Sequence, residues 1–208
     1  MSERLFIVGD VQGCADELDD LLRSFPLGTG RRLAFVGDLI NRGPKSRAVL
    51  ERAVAEGALV VVGNHEDGLL KGKPTDTLAR VRADLGDTLP RWLEWIRALP
   101  TYVEQNGLIL VHAGIAPGKR PETCTRAELT RIRDVDGKPW FDSWTGPETV
   151  VFGHWSLRGK VDLPLVKGLD TGCVYGGALT GITWPEQTWH SVSAHRRWFD
   201  PIAMKMEW

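Results

Sequence analysis

Short apolar runs alternate along the first part of the chain with segments whose apolar residues recur at helical spacing. Residues 5–8 form an apolar run that stops at Gly9-Asp10, and after it Leu18, Leu21, Leu22 and Phe25 lie on one face of a helix. Pro26 and the glycine behind it predict the end of that helix. A second run, 33–36, ends at Gly37-Asp38, and Pro44 is expected as the first residue of a second helix that carries Ala48, Val49 and Val54. The run 59–62 then ends at Gly63-Asn64-His65. This β-α-β-α-β series, with strands apolar on both faces, predicts a mainly parallel sheet covered by helices. Right-handed crossovers bring the C-terminal ends of such strands to one edge, where ligands of open α/β sheets bind.

Further along, residues 75–99 are expected to be helical, with Leu78, Val81 and Leu85 in one stripe and Leu89, Trp92, Leu93, Ile96 and Leu99 in another. Five more strands follow from the pattern. Residues 108–111 end at His112-Ala113-Gly114 and residues 150–152 at Gly153-His154, while residues 166–169 lead into Asp170-Thr171-Gly172. Residues 178–184 and 188–192 form a hairpin around Pro185-Glu186. A short helix is expected over 126–133 and a turn at Asp136-Gly137. There is no repeat and no linker-like stretch, so residues 1–208 are expected to form a single domain.

Composition narrows the function classes. Hydrophobic residues make up 42% and charged residues 25% of the chain, as in a folded globular protein. A net charge of −1 argues against a broad basic face for long nucleic acid but leaves room for a local basic pocket and a phosphate-bearing small molecule. Cys14, Cys124 and Cys173 are an odd number without metal-like spacing and read as reduced thiols, which makes the cytoplasm the expected location. No apolar stretch approaches the ~20 residues that span a bilayer. Of the nine tryptophans, seven lie at or after Trp140; most are expected to fill core or edge space, with one available to stack on a purine.

The chemistry sits at the strand ends, which deliver Asp10, Asp38, Asn64 with His65, His112 and His154. A single strand ending in Gly-Asp is usually a turn, and a single His is usually structural. Five such ends in succession point to divalent metal: carboxylate oxygen, amide oxygen and imidazole suit Mn, Fe, Zn or Ni, and a carboxylate can bridge two ions. Two metals ~3.5–4 Å apart clamp the attacking and leaving oxygens of a phosphate ester.

The series Gly9-Asp10-Val11-Gln12-Gly13, Gly37-Asp38-Leu39-Ile40-Asn41-Arg42-Gly43, Gly63-Asn64-His65-Glu66, His112-Ala113-Gly114 and Gly153-His154 resembles the phosphoprotein-phosphatase branch of the calcineurin-like metallophosphoesterases. The resemblance implies the metallo-dependent phosphatase fold, an α/β architecture with two sheets sandwiched between helices (αββα). It implies Asp10 as a ligand of a first metal, with Gln12 where much of the family has His, and Asp38 as the bridge. Asn64, His112 and His154 would be ligands of the second metal. His65 resembles the family's general acid and Arg42 its phosphate-gripping arginine. Where protein phosphatases carry Asp-Arg-Gly this chain has Asn41, so His65 is expected to be oriented by another group, with Glu66 and Asp67 as candidates. The resemblance implies two divalent ions, Mn above all, with Co, Fe, Ni and Zn as alternatives.

Within that branch, Gly9-Asp10-Val11-Gln12-Gly13-Cys14, Phe152-Gly153-His154-Trp155 and Leu169-Asp170-Thr171-Gly172-Cys173 resemble the symmetrical diadenosine tetraphosphatases. This group would split diadenosine tetraphosphate into two ADP, with dinucleoside-polyphosphate caps on RNA 5′ ends as a further substrate class. The stretch Leu129-Thr130-Arg131-Ile132-Arg133 resembles the group's Thr-Arg-x-Arg segment. On a helix the two arginines would point apart, so one of Arg131 and Arg133 is expected at the site. Trp155 and Tyr175 are candidates for stacking on adenine. Only 15 residues separate Gly114 from Thr130, a shorter cap than the group usually carries, and a bacterial protein serine/threonine phosphatase is the alternative enzyme. A nucleotide-binding module without catalysis is the non-enzyme alternative. His190, His195 and the C-terminal segment from Trp198 onward are expected to lie outside the site.

Overall fold

The structure, a computed structural model, describes residues 3–25 and 30–200. The predicted helix stop at Pro26 lies outside the described residues, as do residues 201–208. The strands, in chain order, are β1 (Arg4–Val8), β2 (Arg31–Phe35), β3 (Leu59–Val60), β4 (Tyr102–Gln105), β5 (Leu108–Val111) and β6 (Asp134–Val135). They continue as β7 (Lys138–Pro139), β8 (Thr149–Phe152), β9 (Val161–Leu163), β10 (Val166–Gly168), β11 (Ala178–Trp184) and β12 (Trp189–Ser193). The helices are α1 (Ala15–Ser24), α2 (Ser46–Ala55), α3 (Asn64–Leu70), α4 (Asp76–Leu85), α5 (Leu89–Arg97) and α6 (Arg126–Arg131).

Two five-stranded mixed sheets run β12-β11-β1-β2-β3 and β4-β5-β8-β10-β9, and β6 and β7 form a separate small hairpin. In the first sheet β1, β2 and β3 are parallel, with Val8 opposite Phe35 and Phe35 opposite Val60. In the second, β5, β8 and β10 are parallel, pairing Leu110 with Val151 and Phe152 with Gly168. These registers level the C-terminal ends of all six parallel strands along one edge.

The alternation along each strand divides the core into layers. Leu5, Ile7, Ala34 and Val36 of the first sheet meet Leu108, Leu110 and Val151 of the second, filling the space between the sheets. The opposite faces bury Phe6, Val8, Leu33 and Phe35 under α1, α2, α4 and α5, and Ile109, Val111, Val150 and Phe152 under Leu129, Trp140 and Phe141. Both faces of each central strand are therefore covered, which is why the runs are apolar without alternation. The arrangement is the expected two-sheet sandwich with helices outside.

Local expectations need three corrections. Pro44 precedes α2, which starts at Ser46, because the chain from Asn41 to Lys45 is committed to a loop bonded to the residues after β1. Of the three apolar residues assigned to α2's core face only Val49 is buried; Leu50 and Ala53 accompany it, and Ala48 and Val54 face outward. The helix expected over 126–133 ends at Arg131, with Ile132 extended. Trp92, Trp140 and Trp184 are buried, in keeping with tryptophan as core filler. Among the described residues no helix is long and apolar enough to cross a membrane.

Candidate metal centre

The strand ends of both sheets meet at this edge, and the backbone there is unusual. Gln12, Asp38, Asn41, Arg42 and His154 all have positive φ, a region that costs a side-chain-bearing residue on the order of 1 kcal/mol or more and persists where the surroundings over-determine it. The loop after β1 and the loop after β2 supply that determination. Gln12 N–H donates to the Asp38 carbonyl, Gly13 N–H to Leu39, and Gly43 N–H back to Gln12. They pass so closely that a Cβ on Gly43 would come within 2.3 Å of the Gln12 carbonyl oxygen.

Glu66 joins the loop after β2 to the loop after β3. Its fully buried carboxylate accepts N–H groups from Asp38 (2.9 Å), Leu39 (2.8 Å), Ile40 (3.2 Å) and Gly63 (3.0 Å). Asp38 in turn accepts the His65 N–H at 2.9 Å through Oδ1, at the first turn of α3. Asp10 accepts the His154 N–H through both oxygens, at 3.0 and 3.1 Å, which ties the end of β1 to the end of β8 across the two sheets.

The donor set fits a divalent cation. His112 Nδ1 donates to the Val36 carbonyl at 2.8 Å, so Nε2 is the lone-pair nitrogen. That nitrogen lies 3.0 Å from Asn64 Oδ1 and 3.5 Å from Asp38 Oδ1, two atoms that also have only lone pairs to offer. His154 donates Nε2–H to the Arg131 carbonyl at 3.2 Å, leaving Nδ1 as its free lone pair. Ligand atoms of Asp38, His112 and His154 fall within 4.8 Å of one another, all on buried residues. Acceptors converging on a buried point without a proton between them are what a metal ion satisfies.

Titration behaviour agrees with this. Burial, then the neighbouring Asp170 and Asp38 charges, push the Asp10 carboxyl well up; burial raises Asp38 to about 6 and Asp170 to about 7. Burial lowers His112 to about 4 and holds His154 well below the ordinary imidazole range, so both imidazoles are neutral at physiological pH. Gln12 is buried beside Asp38 and hydrogen-bonds its carboxylate. Asp170 is a residue that the sequence reading passed over. It follows an apolar run in the same way as Asp10 and Asp38, is buried, and accepts the Gly172 N–H at 3.1 Å.

His65 is oriented by neither Glu66 nor Asp67. Asn41 Oδ1 accepts the Arg42 N–H at 2.9 Å, which turns its Nδ2 toward His65 Nδ1, 2.7 Å away. An amide donating to Nδ1 places the imidazole proton on Nε2, which lies 3.6 Å from Asp38 Oδ2. Burial first, and then the Arg42 charge, keep this ring neutral. Asp67 instead receives Lys71, Arg126 and Arg131, whose hydrogen bonds hold its carboxyl down at about 2 despite partial burial.

Both arginines of the Thr-Arg-x-Arg segment reach the site, because the chain leaves the helix between them. Arg131 is braced by Asp67 at 2.9 Å, whereas Arg133 makes one long contact, 3.4 Å, to the His154 carbonyl, and its buried Nε has no hydrogen-bond partner among the described residues. Arg133 is the arginine with donors to spare. The Arg42 guanidinium lies over the rings of Tyr175 and Phe199, 5.4 and 5.5 Å from their centroids. Trp155 packs against Phe141 under Arg158. Cys14 and Cys173 are buried, and His190 and His195 lie on Phe25 and Asp20, away from the site.

A buried cluster of carboxylates and neutral imidazoles where two sheets meet defines a metallophosphoesterase, and residues 3–203 match the family model described as calcineurin-like phosphoesterase. The chain belongs to that family. It is 31% identical to a symmetrical bis(5′-nucleosyl)-tetraphosphatase of Janthinobacterium sp. (strain Marseille), over 88% of this chain and 93% of the relative. The corresponding protein of Ralstonia nicotianae is 32% identical, over 83% and 86%. A crystal structure described provisionally as a diadenosine tetraphosphatase superposes with a TM-score of 0.83 at 36% identity, covering 93% of this chain and 95% of that one. The first of these alignments runs over 258 positions, more than this chain contains, so the relative carries insertions that are absent here.

Two outcomes are expected. Glu66→Ala leaves four buried N–H groups without an acceptor and should cost about 3–5 kcal/mol in urea denaturation. Mn²⁺ affinity, measured by calorimetric titration, should be flat above about pH 8 and fall as pH drops toward about 5.5, approaching about tenfold per unit for each proton displaced. The sign follows from the raised carboxyls of Asp10, Asp38 and Asp170, which hold protons that the ion must displace, while the imidazoles are already neutral in this window.

Proposed function

We propose that this metallophosphoesterase is a symmetrical bis(5′-nucleosyl)-tetraphosphatase that splits diadenosine tetraphosphate into two ADP. Asp10, Gln12 and Asp38 would hold one divalent ion, and Asp38, Asn64, His112 and His154 a second, Mn²⁺ being the ion chosen for the assays below. Two ions so held supply a nucleophilic water of lowered pKa and neutralise phosphate charge. Arg42 and Arg133 take the equatorial oxygens of the phosphate under attack, each with a planar fork of donors. His65 presents Nε2–H to the oxygen that leaves. Residues 1–208 act as one domain in this reading, since the ligands come from both sheets.

The observation that carries the choice of substrate is the Asn41–His65 hydrogen bond, 2.7 Å with the amide as donor. A carboxylate at position 41 would stabilise a charged imidazolium able to hand over a full proton, as departure of a serine or threonine alkoxide demands. An amide donor to Nδ1 leaves His65 neutral, good for a hydrogen bond and poor for full protonation. A phosphoric anhydride asks for no more, because its leaving group is itself a phosphate, whose second pKa is about 6. The likeness to the tetraphosphatases supports the same substrate, and capped RNA 5′ ends present the same anhydride linkage. A cytoplasmic location is in keeping with three free thiols.

The test is ion-exchange analysis of products after incubating the Mn²⁺-loaded protein with diadenosine tetraphosphate. ADP alone is expected. ATP plus AMP would overturn symmetrical cleavage, and no cleavage alongside hydrolysis of a phosphothreonine peptide would favour a protein phosphatase. Asn41→Asp is expected to shift the ratio of kcat/KM toward the phosphothreonine peptide by about tenfold or more, the low end of what an acid catalyst contributes being about 10². An unchanged ratio would remove the role given to Asn41.

A further inference from the structure

A cavity of about 280 Å³ opens beside the metal centre, and Arg42 lines it. Its other walls come from distant parts of the chain. Pro44 lies in the loop after β2, Arg80, Val81 and Asp84 on α4, and Trp198 in the segment after β12. Arg42 thus stands between two spaces, since its charge also acts on Asp38 and His65 at the metal cluster.

The C-terminal segment is built into this place. Trp198 and Phe199 both donate N–H to the Val174 carbonyl, at 3.0 and 2.9 Å. The Trp198 indole Nε1 donates to Glu17 at 2.7 Å, and the Arg196 guanidinium lies 4.1 Å from the centre of the indole. The indole is therefore held in a fixed orientation at the cavity wall, while the next residue, Phe199, shares with Tyr175 the contact that positions the Arg42 guanidinium.

The wall chemistry selects a ligand class. Arg80 is exposed and makes no hydrogen bond or ion pair among the described residues, so its guanidinium has all five donors to offer to anionic oxygens. Asp84 spends Oδ2 on the Arg47 N–H at 2.8 Å and keeps Oδ1 as an acceptor for hydroxyl or amino hydrogens. Trp198, Pro44 and Val81 provide flat aromatic and aliphatic surface. Cation, acceptor and aromatic wall are the three complements of a nucleotide: phosphate, ribose hydroxyls or an exocyclic amine, and base. We propose that this cavity is a nucleotide subsite that seats one nucleoside with its adjoining phosphates, with Arg42 spanning the link to the phosphate under attack. The proposal rests on the dinucleotide reading above for which half of the substrate enters, and on the cavity alone for the ligand class.

The test uses the Mn²⁺-loaded 208-residue chain and two readouts, KM for diadenosine tetraphosphate and inhibition of p-nitrophenyl phosphate hydrolysis by ADP and by inorganic phosphate. Arg80→Ala should raise both KM and the inhibition constant of ADP about tenfold, the loss of one charge-assisted hydrogen bond, while inhibition by inorganic phosphate changes far less. Asp84→Asn, which keeps an acceptor for the Arg47 N–H, should weaken ADP more than it weakens inorganic phosphate. Equal weakening of ADP and inorganic phosphate by Arg80→Ala would reduce the cavity to a source of general positive charge and overturn the proposal. No change in either variant would overturn it as well. Should the wild type leave diadenosine tetraphosphate uncut yet be inhibited by ADP in an Arg80-dependent way, the subsite stands and the substrate assignment falls.

Discussion

One buried carboxylate organises the centre without facing substrate. Glu66 accepts four backbone N–H groups from two loops. Those N–H groups belong to the turn that gives Asp38 its positive φ and leads on to Asn41 and Arg42, and to the glycine that precedes Asn64. Fixing that one side chain therefore fixes Asp38, the group that turns His65, and the start of the helix carrying Asn64. Glu66 sits in the third position of that helix, where a carboxylate reaching back to the preceding N–H is a familiar way to start one. Here the same reach extends to a second loop.

The cost of such a site is electrostatic. Burial raises the pKa of Asp10, Asp38 and Asp170, neighbouring carboxylates raise Asp10 and Asp170 further, and two imidazoles beside them are driven neutral, so the cluster itself carries no balancing cation among the described residues. Arg42, Arg131 and Arg133 stand around it, but Arg131 is already committed to Asp67. The imbalance suits the centre to divalent cations, the ions that membership of this family implies. Like charges and strained backbone on one side are opposed by two packed hydrophobic layers on the other, and the candidate ligands sit where strands, and the first turn of α3, hold them rigidly.

Much of the clustering was legible in the sequence because each candidate ligand follows an apolar run. Asp10, Asp38, Asn64, His112 and His154 follow strands whose burial on both faces is written as unbroken hydrophobicity, and parallel topology brings such ends together. Asp170 carries the same signature after residues 166–169 and could have been taken with the others. Other features had no local signal. The hydrogen bond from Asn41 to His65 depends on a positive φ and on the Arg42 N–H, neither of which a residue pattern announces. Pro44 looked like a helix start because its preference for that position is real, but the loop's bonds to Gln12 and Gly13 delay the helix by two residues. Arg131 and Arg133 differ in what they touch, Asp67 bracing the first and the second keeping donors to spare, but the helix stops between them, which a residue pattern does not announce. Trp198 and Phe199 reach Glu17 and Arg42 across more than 150 residues of chain, and only the assembled fold could put them there.

The same distinction bears on what makes this chain selective. Its candidate metal ligands are those that the family resemblance implies, and they bear on attack at phosphorus rather than on which group leaves. Selectivity has to come from groups that differ in what they ask of the rest of the molecule, and here these are an amide in place of a carboxylate beside His65, and an arginine held by two aromatic rings. An amide lowers the demand that can be met at the leaving oxygen, which suits leaving groups that are already stable anions. An arginine ordered before substrate arrives loses less freedom when it grips a phosphate, and its order here is supplied by Tyr175 and Phe199 from two separate segments. On the proposed reading only the amide discriminates by leaving group, through the proton at the leaving oxygen; the ordered arginine acts on the phosphate under attack, which an ester and an anhydride share.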